Sequence, residues 1–91
     1  MKQEDSEVMT HELKILPEYF KAVAEGKKTF EIRRDDRGIK VGDLIVLKEF
    51  DAEKRLPTGR WLSVEVTYIL RNVPQYGLDT EYCVFSFAVR W

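Results

Sequence analysis

The sequence predicts a mostly β domain of the α+β class: about five strands and one early helix, forming a small barrel with the helix packed at its end. Two observations lead there. Most of the chain after Lys28 alternates apolar and polar residues, or is dense in Val, Ile, Tyr and Phe, and Gly, Pro and Asp punctuate it. A single stretch, near the start, has helical spacing instead. An α+β sandwich is the competing architecture.

Each element has its own cause. Residues 1–9 are polar, charged and aperiodic, and are expected to be a disordered tail ahead of one domain over 10–91. His11 to Leu16 alternates Leu13 and Ile15 with Glu12 and Lys14, a first strand. Pro17 suits the first turn of a helix, where its missing N–H costs nothing. Leu16, Phe20, Val23 and Ala24 follow at helical spacing as the expected buried stripe. Gly26 is the natural stop, and Lys27 and Lys28 lie at the negative end of the helix dipole. In Thr29 to Arg34, Phe30 and Ile32 point one way and Thr29, Glu31 and Arg33 the other. Asp35–Gly38 and Val41–Asp43 read as turns, and Leu44–Phe50 as an apolar strand. Asp51–Gly59 reads as a polar loop, Trp61–Leu70 as a long strand and Arg71–Thr80 as a second loop. Glu81–Val89 closes the domain, with Cys83, Phe85 and Phe87 on one face. Trp61 and Trp91 are expected to pack, Cys83 to be a core thiol, and His11 to be structural or superficial.

The bulk numbers narrow the function. At 91 residues the chain holds one modest core. No apolar run approaches the roughly 20 residues that cross a bilayer, and the first ten residues lack the apolar core of a signal peptide. One cysteine cannot form an internal disulfide, so a reducing, cytoplasmic setting is expected. One histidine and one cysteine are too few for a structural zinc site, and neither metal nor cofactor is expected. The net charge of −1 argues against a globally basic nucleic-acid binder. Residues 21–40, however, hold seven basic and four acidic side chains, a local excess of three positive charges.

Within that patch, residues 26–33 read Gly-Lys-Lys-Thr-Phe-Glu-Ile-Arg. They fit G-x-K-x-x-E-x-R, with Gly26, Lys28, Glu31 and Arg33 at the fixed places. This resembles the signature of the ASCH domain, a branch of the PUA-like fold. The run HELKILPEYFKAVAEGKKTFEIRRDD, then KVGDLIVLKEFD, TGR, VTYIL and YCVFSF, is similar to the small DUF3850 family of PUA-like proteins, seen in phage and bacterial genomes. The likeness spans roughly His11 to Val89.

The resemblance implies a PUA-like barrel with a cleft between the first helix and the barrel, lined by the motif. It also implies RNA, or a nucleotide-like ligand or modified base, as the partner, and a monomeric module is expected. Gly26, Lys27, Lys28, Thr29, Glu31 and Arg33 are the candidate binding residues. Glu31 and Arg33 share a strand face about 6–7 Å apart. Arg33 can fork to a phosphate or a guanine edge, Glu31 can accept from an exocyclic amine, and Lys28 is a point charge for phosphate. Tyr19, Trp61, Tyr68, Tyr76 and Tyr82 are available for stacking. The plainer readings are a helix cap for Gly26, solvated lysines at 27 and 28, and cross-strand ion pairs for Glu31 and Arg33.

A second reading is enzymatic, with Lys28 and Glu31 as the catalytic candidates. Some ASCH relatives are amidohydrolases acting on acylated cytidine, with the motif lysine serving as base to a threonine nucleophile. Lys28 matches that lysine, but Glu31 stands at the threonine position, and a carboxylate is a poor substitute for a hydroxyl nucleophile. A third reading is a phage or bacterial accessory domain that binds protein.

Overall fold

The computed structural model describes residues 8–90. The chain runs β1 (Thr10–Ile15), α1 (Pro17–Ala24), β2 (Phe30–Arg34), β3 (Leu44–Asp51), β4 (Leu56–Leu70) and β5 (Tyr82–Val89), with one 3-10 turn at Pro74–Tyr76. The expected order of one strand, one helix and four strands is the observed one. The tail expected at the N-terminus falls largely on residues 1–7, and Trp91 is the last residue; both lie outside the described residues. Among those described, no helix is long and apolar enough to cross a membrane.

The strands make a single sheet in the order β1-β3-β4-β5-β2, parallel between β1 and β3 and antiparallel elsewhere. It curls into a half-barrel. Register shifts between Lys48 and Phe50, and between Val66 and Tyr68, mark the bulges that bend it. Leu13, Ile15, Ile45, Leu47, Val64, Val66, Phe85 and Phe87 fill the concave face, and Phe20 and Val23 of α1 pack with them. The strand order leaves β1 and β2, which flank the helix in sequence, as the two free edges of the sheet.

Several expectations are corrected. Only Phe20 and Val23 of the proposed helical stripe are buried; Leu16 and Ala24 are exposed, since eight residues make barely two turns. The loop expected over Asp51–Gly59 is mostly strand. A tight turn over 52–55 returns the chain so that Asp51 pairs with Leu56 and Phe50 with Pro57. Asp51 accepts the backbone N–H groups of Glu53 and Lys54. Pro57 and Gly59 hid this strand. Gly59 falls in the bulge between Lys48 and Phe50, and Pro57, the second residue of β4, lies where that strand pairs with β3 alone. Trp61 is exposed rather than packed.

Asp43 is more than a turn residue. It is fully buried and accepts from Met9 N–H (3.1 Å) and Lys40 N–H (2.9 Å), and it bonds the ring of buried His11 at 2.9 Å. Burial alone would raise its pKa, but the bonds from His11, Lys40 and Met9 outweigh that and hold it below 3.8. His11 is therefore structural, a tie between β1 and the turn ahead of β3.

Candidate functional site

The site begins at the end of α1. Gly26, at φ +78°, takes the left-handed conformation that only glycine adopts cheaply. Its N–H bonds the Val23 carbonyl and that of Lys27 bonds Ala22, the paired closure of a Schellman motif. Lys28 N–H also reaches Ala22 O, and the chain then enters β2. This cap fixes where Lys28 stands relative to the strand that follows.

β2 inverts the usual alternation. Phe30 and Ile32 are exposed, whereas Glu31 faces the concave side opposite Phe85 and is 5% exposed. A carboxylate so placed needs counter-charge. Lys28 Nζ donates to Glu31 Oε2 at 2.7 Å, and Arg33 Nε to Oε1 at 3.3 Å, one cation for each oxygen. Lys28 Nζ also donates to the Phe30 carbonyl at 2.7 Å. It lies 5.1 Å from the Phe30 ring and 5.7 Å from that of Tyr19, within cation–π range. Arg33 reaches further: its Nη2 donates to the Lys14 carbonyl of β1 and bridges the gap between the two free edges.

A cleft of about 480 Å³ opens along that gap, walled by Lys14, Ile15, Leu16, Tyr19, Lys28, Phe30, Glu31, Ile32 and Arg33. Its size is in the range that holds small ligands. The triad carries two positive charges and one negative. Among the described residues its donors are not used up: one Lys28 N–H, the Nη1 pair of Arg33 and one Nη2 N–H remain unengaged. The cleft thus offers fixed N–H donors, a net positive charge and two aromatic rings.

Lys28 and Arg33 both form ion pairs with Glu31, and Arg33 also donates to the Lys14 carbonyl of β1. The other candidates stand apart. Gly26 shapes the chain and lines nothing. Lys27 is exposed and pairs with Glu25 at 3.2 Å. Thr29 is exposed; its carbonyl accepts from Phe87 N–H, and it does not line the cleft. Of the five aromatics considered for stacking, Tyr19 alone borders the cleft. Lys14, Leu16 and Phe30 were not anticipated as walls, because nothing in the sequence says that β1 and β2 meet across an open seam.

A second polar cluster went unnoticed in the sequence. Glu49 of β3 is 1% exposed. It accepts from Thr58 Oγ1 at 2.6 Å and, two-pronged, from Arg60 Nε and Nη2 at 2.8 and 2.9 Å. The Arg60 guanidinium lies 5.3 Å from the Phe20 ring. These hydrogen bonds from Arg60 and then Thr58 outweigh desolvation and hold the Glu49 carboxyl below 4.5. The signal was present: Ile45, Leu47 and Glu49 share parity, so an inward Glu49 follows from an inward Leu47.

The model of the domain of unknown function DUF3850 matches residues 10–87. An uncharacterized 12.9 kDa protein in the GpA 3′ region of Escherichia phage P2 is 39% identical over 57 residues, which cover 63% of this chain. The matched stretch spans half of that phage protein's length.

Proposed function

The chain belongs to the DUF3850 family, and we propose that it is an RNA-binding module of the ASCH, PUA-like type that holds an unpaired base or nucleotide-like group in the seam cleft. The observation that carries this reading is the convergence of Lys28, Glu31 and Arg33 beside Tyr19 and Phe30 in one hollow. The ion pairs set the geometry, and the remaining N–H groups of Arg33, which lines the cleft, supply a fork for phosphate or a base edge. The Tyr19 ring supplies a stacking surface. Binding is favoured over amide cleavage because both oxygens of Glu31 are held by cations, and the Thr29 hydroxyl stands outside the cleft.

The test is a titration of the isotope-labelled chain with short unpaired RNA, followed by NMR. Resonances of Tyr19, Lys28, Glu31 and Arg33 are expected to shift together and saturate. Affinity should fall with salt by a slope of only about 0.7 to 1.4, reflecting one or two phosphates at about 0.7 each. Shifts absent from these residues at saturating RNA would overturn the reading.

A further inference from the structure

The motif ends at Arg33, and two further arginines, Arg34 and Arg37, follow it without lining the cleft. Arg33, Arg34 and Arg37, with Leu13, Asp36 and Ile39, line a second hollow of about 140 Å³. It meets the main cleft at Arg33, which walls both. Lys14 of β1 and Arg33 of β2 line the larger hollow, and Leu13 of β1 and Arg33 the smaller, so both border the seam that the Arg33 bond to Lys14 crosses.

The smaller hollow differs in character. It is too small for a nucleoside, since ligand pockets start near about 300 Å³. It has room for several waters, each taking roughly 30 Å³, and so for a phosphate group. Three arginines against one aspartate give its lining two net positive charges. Arg34 is partly neutralised from outside by Glu81 at 2.7 Å. Arg37 is exposed and enters no ion pair among the described residues.

The turn that presents Arg37 is anchored. Arg71 grips Asp35 with Nε at 2.6 Å and Nη2 at 3.0 Å, and Nη2 also bonds the Ile39 carbonyl at 3.1 Å. Asp35 N–H bonds Glu81 O at 2.7 Å. Both ends of the loop are thus tied to the sheet, and Arg37 projects from a fixed base.

We infer that the Arg33–Arg34–Arg37 hollow is a phosphate subsite, so that the ligand is a continuous unpaired RNA strand running through the seam rather than a free nucleoside or nucleotide. The inference rests on the cleft reading above. A base occupies the larger cleft beside Tyr19, and its neighbouring phosphate crosses Arg33 into the smaller hollow. The direction of charge along the seam, from Lys28 to Arg37, sets the path of the backbone.

The experiment compares the four ribonucleosides, which lack phosphate, with mixed-sequence unpaired RNA of about six nucleotides, a length within the usual footprint of small single-strand binders. The full chain and its Arg37→Ala variant are both titrated. The oligomer is expected to bind the parent at least about tenfold more tightly than the best nucleoside. Arg37→Ala should remove most of that gain and flatten the salt slope by about 0.7, while leaving nucleoside-induced shifts at Tyr19 and Lys28 unchanged. Unchanged oligomer affinity and slope in Arg37→Ala, with nucleosides still perturbing the cleft, would overturn the subsite alone. Failure of nucleosides and oligomer alike to perturb the cleft would overturn both readings.

Discussion

Glu31 and Glu49 are both buried glutamates on the concave side of one sheet, each paired with a cation that lies beside an aromatic ring of α1, yet they are built for different ends. Glu49 is saturated from within its own hairpin. Thr58 and Arg60 lie nine and eleven residues on, and Arg60 binds both of its oxygens at 2.8 and 2.9 Å. Glu31 receives one cation on each oxygen, the Arg33 bond is long at 3.3 Å, and among the described residues both cations keep unengaged N–H groups. Closed, two-pronged geometry is how a carboxylate pins a hairpin to a core. The open arrangement, at a seam the sheet leaves unpaired, keeps donors available to something else.

The comparison is tested most severely at Glu49. Glu49→Ala removes three charge-assisted hydrogen bonds and leaves a void under the β3–β4 hairpin. It should destabilise the fold by about 2–3 kcal/mol, read from urea unfolding. RNA affinity should stay within about twofold, a difference of less than about 0.5 kcal/mol. A stability loss below about 0.5 kcal/mol, the usual range for surface substitutions, would show that the hairpin does not depend on its glutamate.

Arg33→Ala is the complementary test. An arginine that forks to phosphate or a base edge contributes about 1–3 kcal/mol, so RNA affinity should fall roughly five- to 150-fold. Glu31 keeps Lys28, and the loss of stability should be smaller than that of Glu49→Ala. Arg33→Lys should recover little affinity, because an ammonium cannot supply the planar fork. Full recovery with lysine would reduce Arg33 to a point charge.

Acid sharpens the contrast further. The Glu49 carboxyl titrates below its ordinary 4.5 in the folded chain, chiefly through Arg60 and then Thr58. A depressed pKa contributes stability that is complete above the unfolded value and lost as pH falls through the folded one. Stability should therefore drop below about pH 4, and Glu49→Gln should flatten part of that drop when urea midpoints are compared at neutral and acid pH. Asp43, also depressed, carries a further part of the slope. Parallel pH profiles for the parent and Glu49→Gln would mean that the carboxyl is not held as its contacts imply.

Strand periodicity made β1, β3 and β5 legible, because Leu13 with Ile15, Ile45 with Leu47, and Phe85 with Phe87 keep a strict inward parity. The stop at Gly26 was legible for the same local reason: one residue type meets one backbone demand. Non-local features were not. Asp43 bonds His11 across 32 residues, and the pairing of Phe50 with Pro57 overrides a proline and a glycine that locally say loop. Nothing in the order of elements says that β1 and β2 become opposite edges, which is what makes the cleft. In β2 a pattern of apolar residues inside would have buried Phe30 and Ile32. The motif pointed to Glu31, and the two cations flanking it in sequence are what make its burial tolerable.

The smallest expected effect concerns Lys27, one residue from Lys28 and indistinguishable from it by composition. Its side chain is 77% exposed and paired with Glu25 at 3.2 Å, whereas that of Lys28 is 16% exposed and faces Glu31. An exposed ion pair contributes roughly 0–1 kcal/mol and leaves no donor aimed at the seam. Lys27→Ala should therefore change RNA affinity by less than about twofold and leave the salt slope within about 0.3 of the parent. Lys28→Ala should cost affinity on the scale of Arg33→Ala. Equal losses at 27 and 28 would mean that the patch acts as diffuse charge, and that the seam geometry separating the two lysines does not govern recognition.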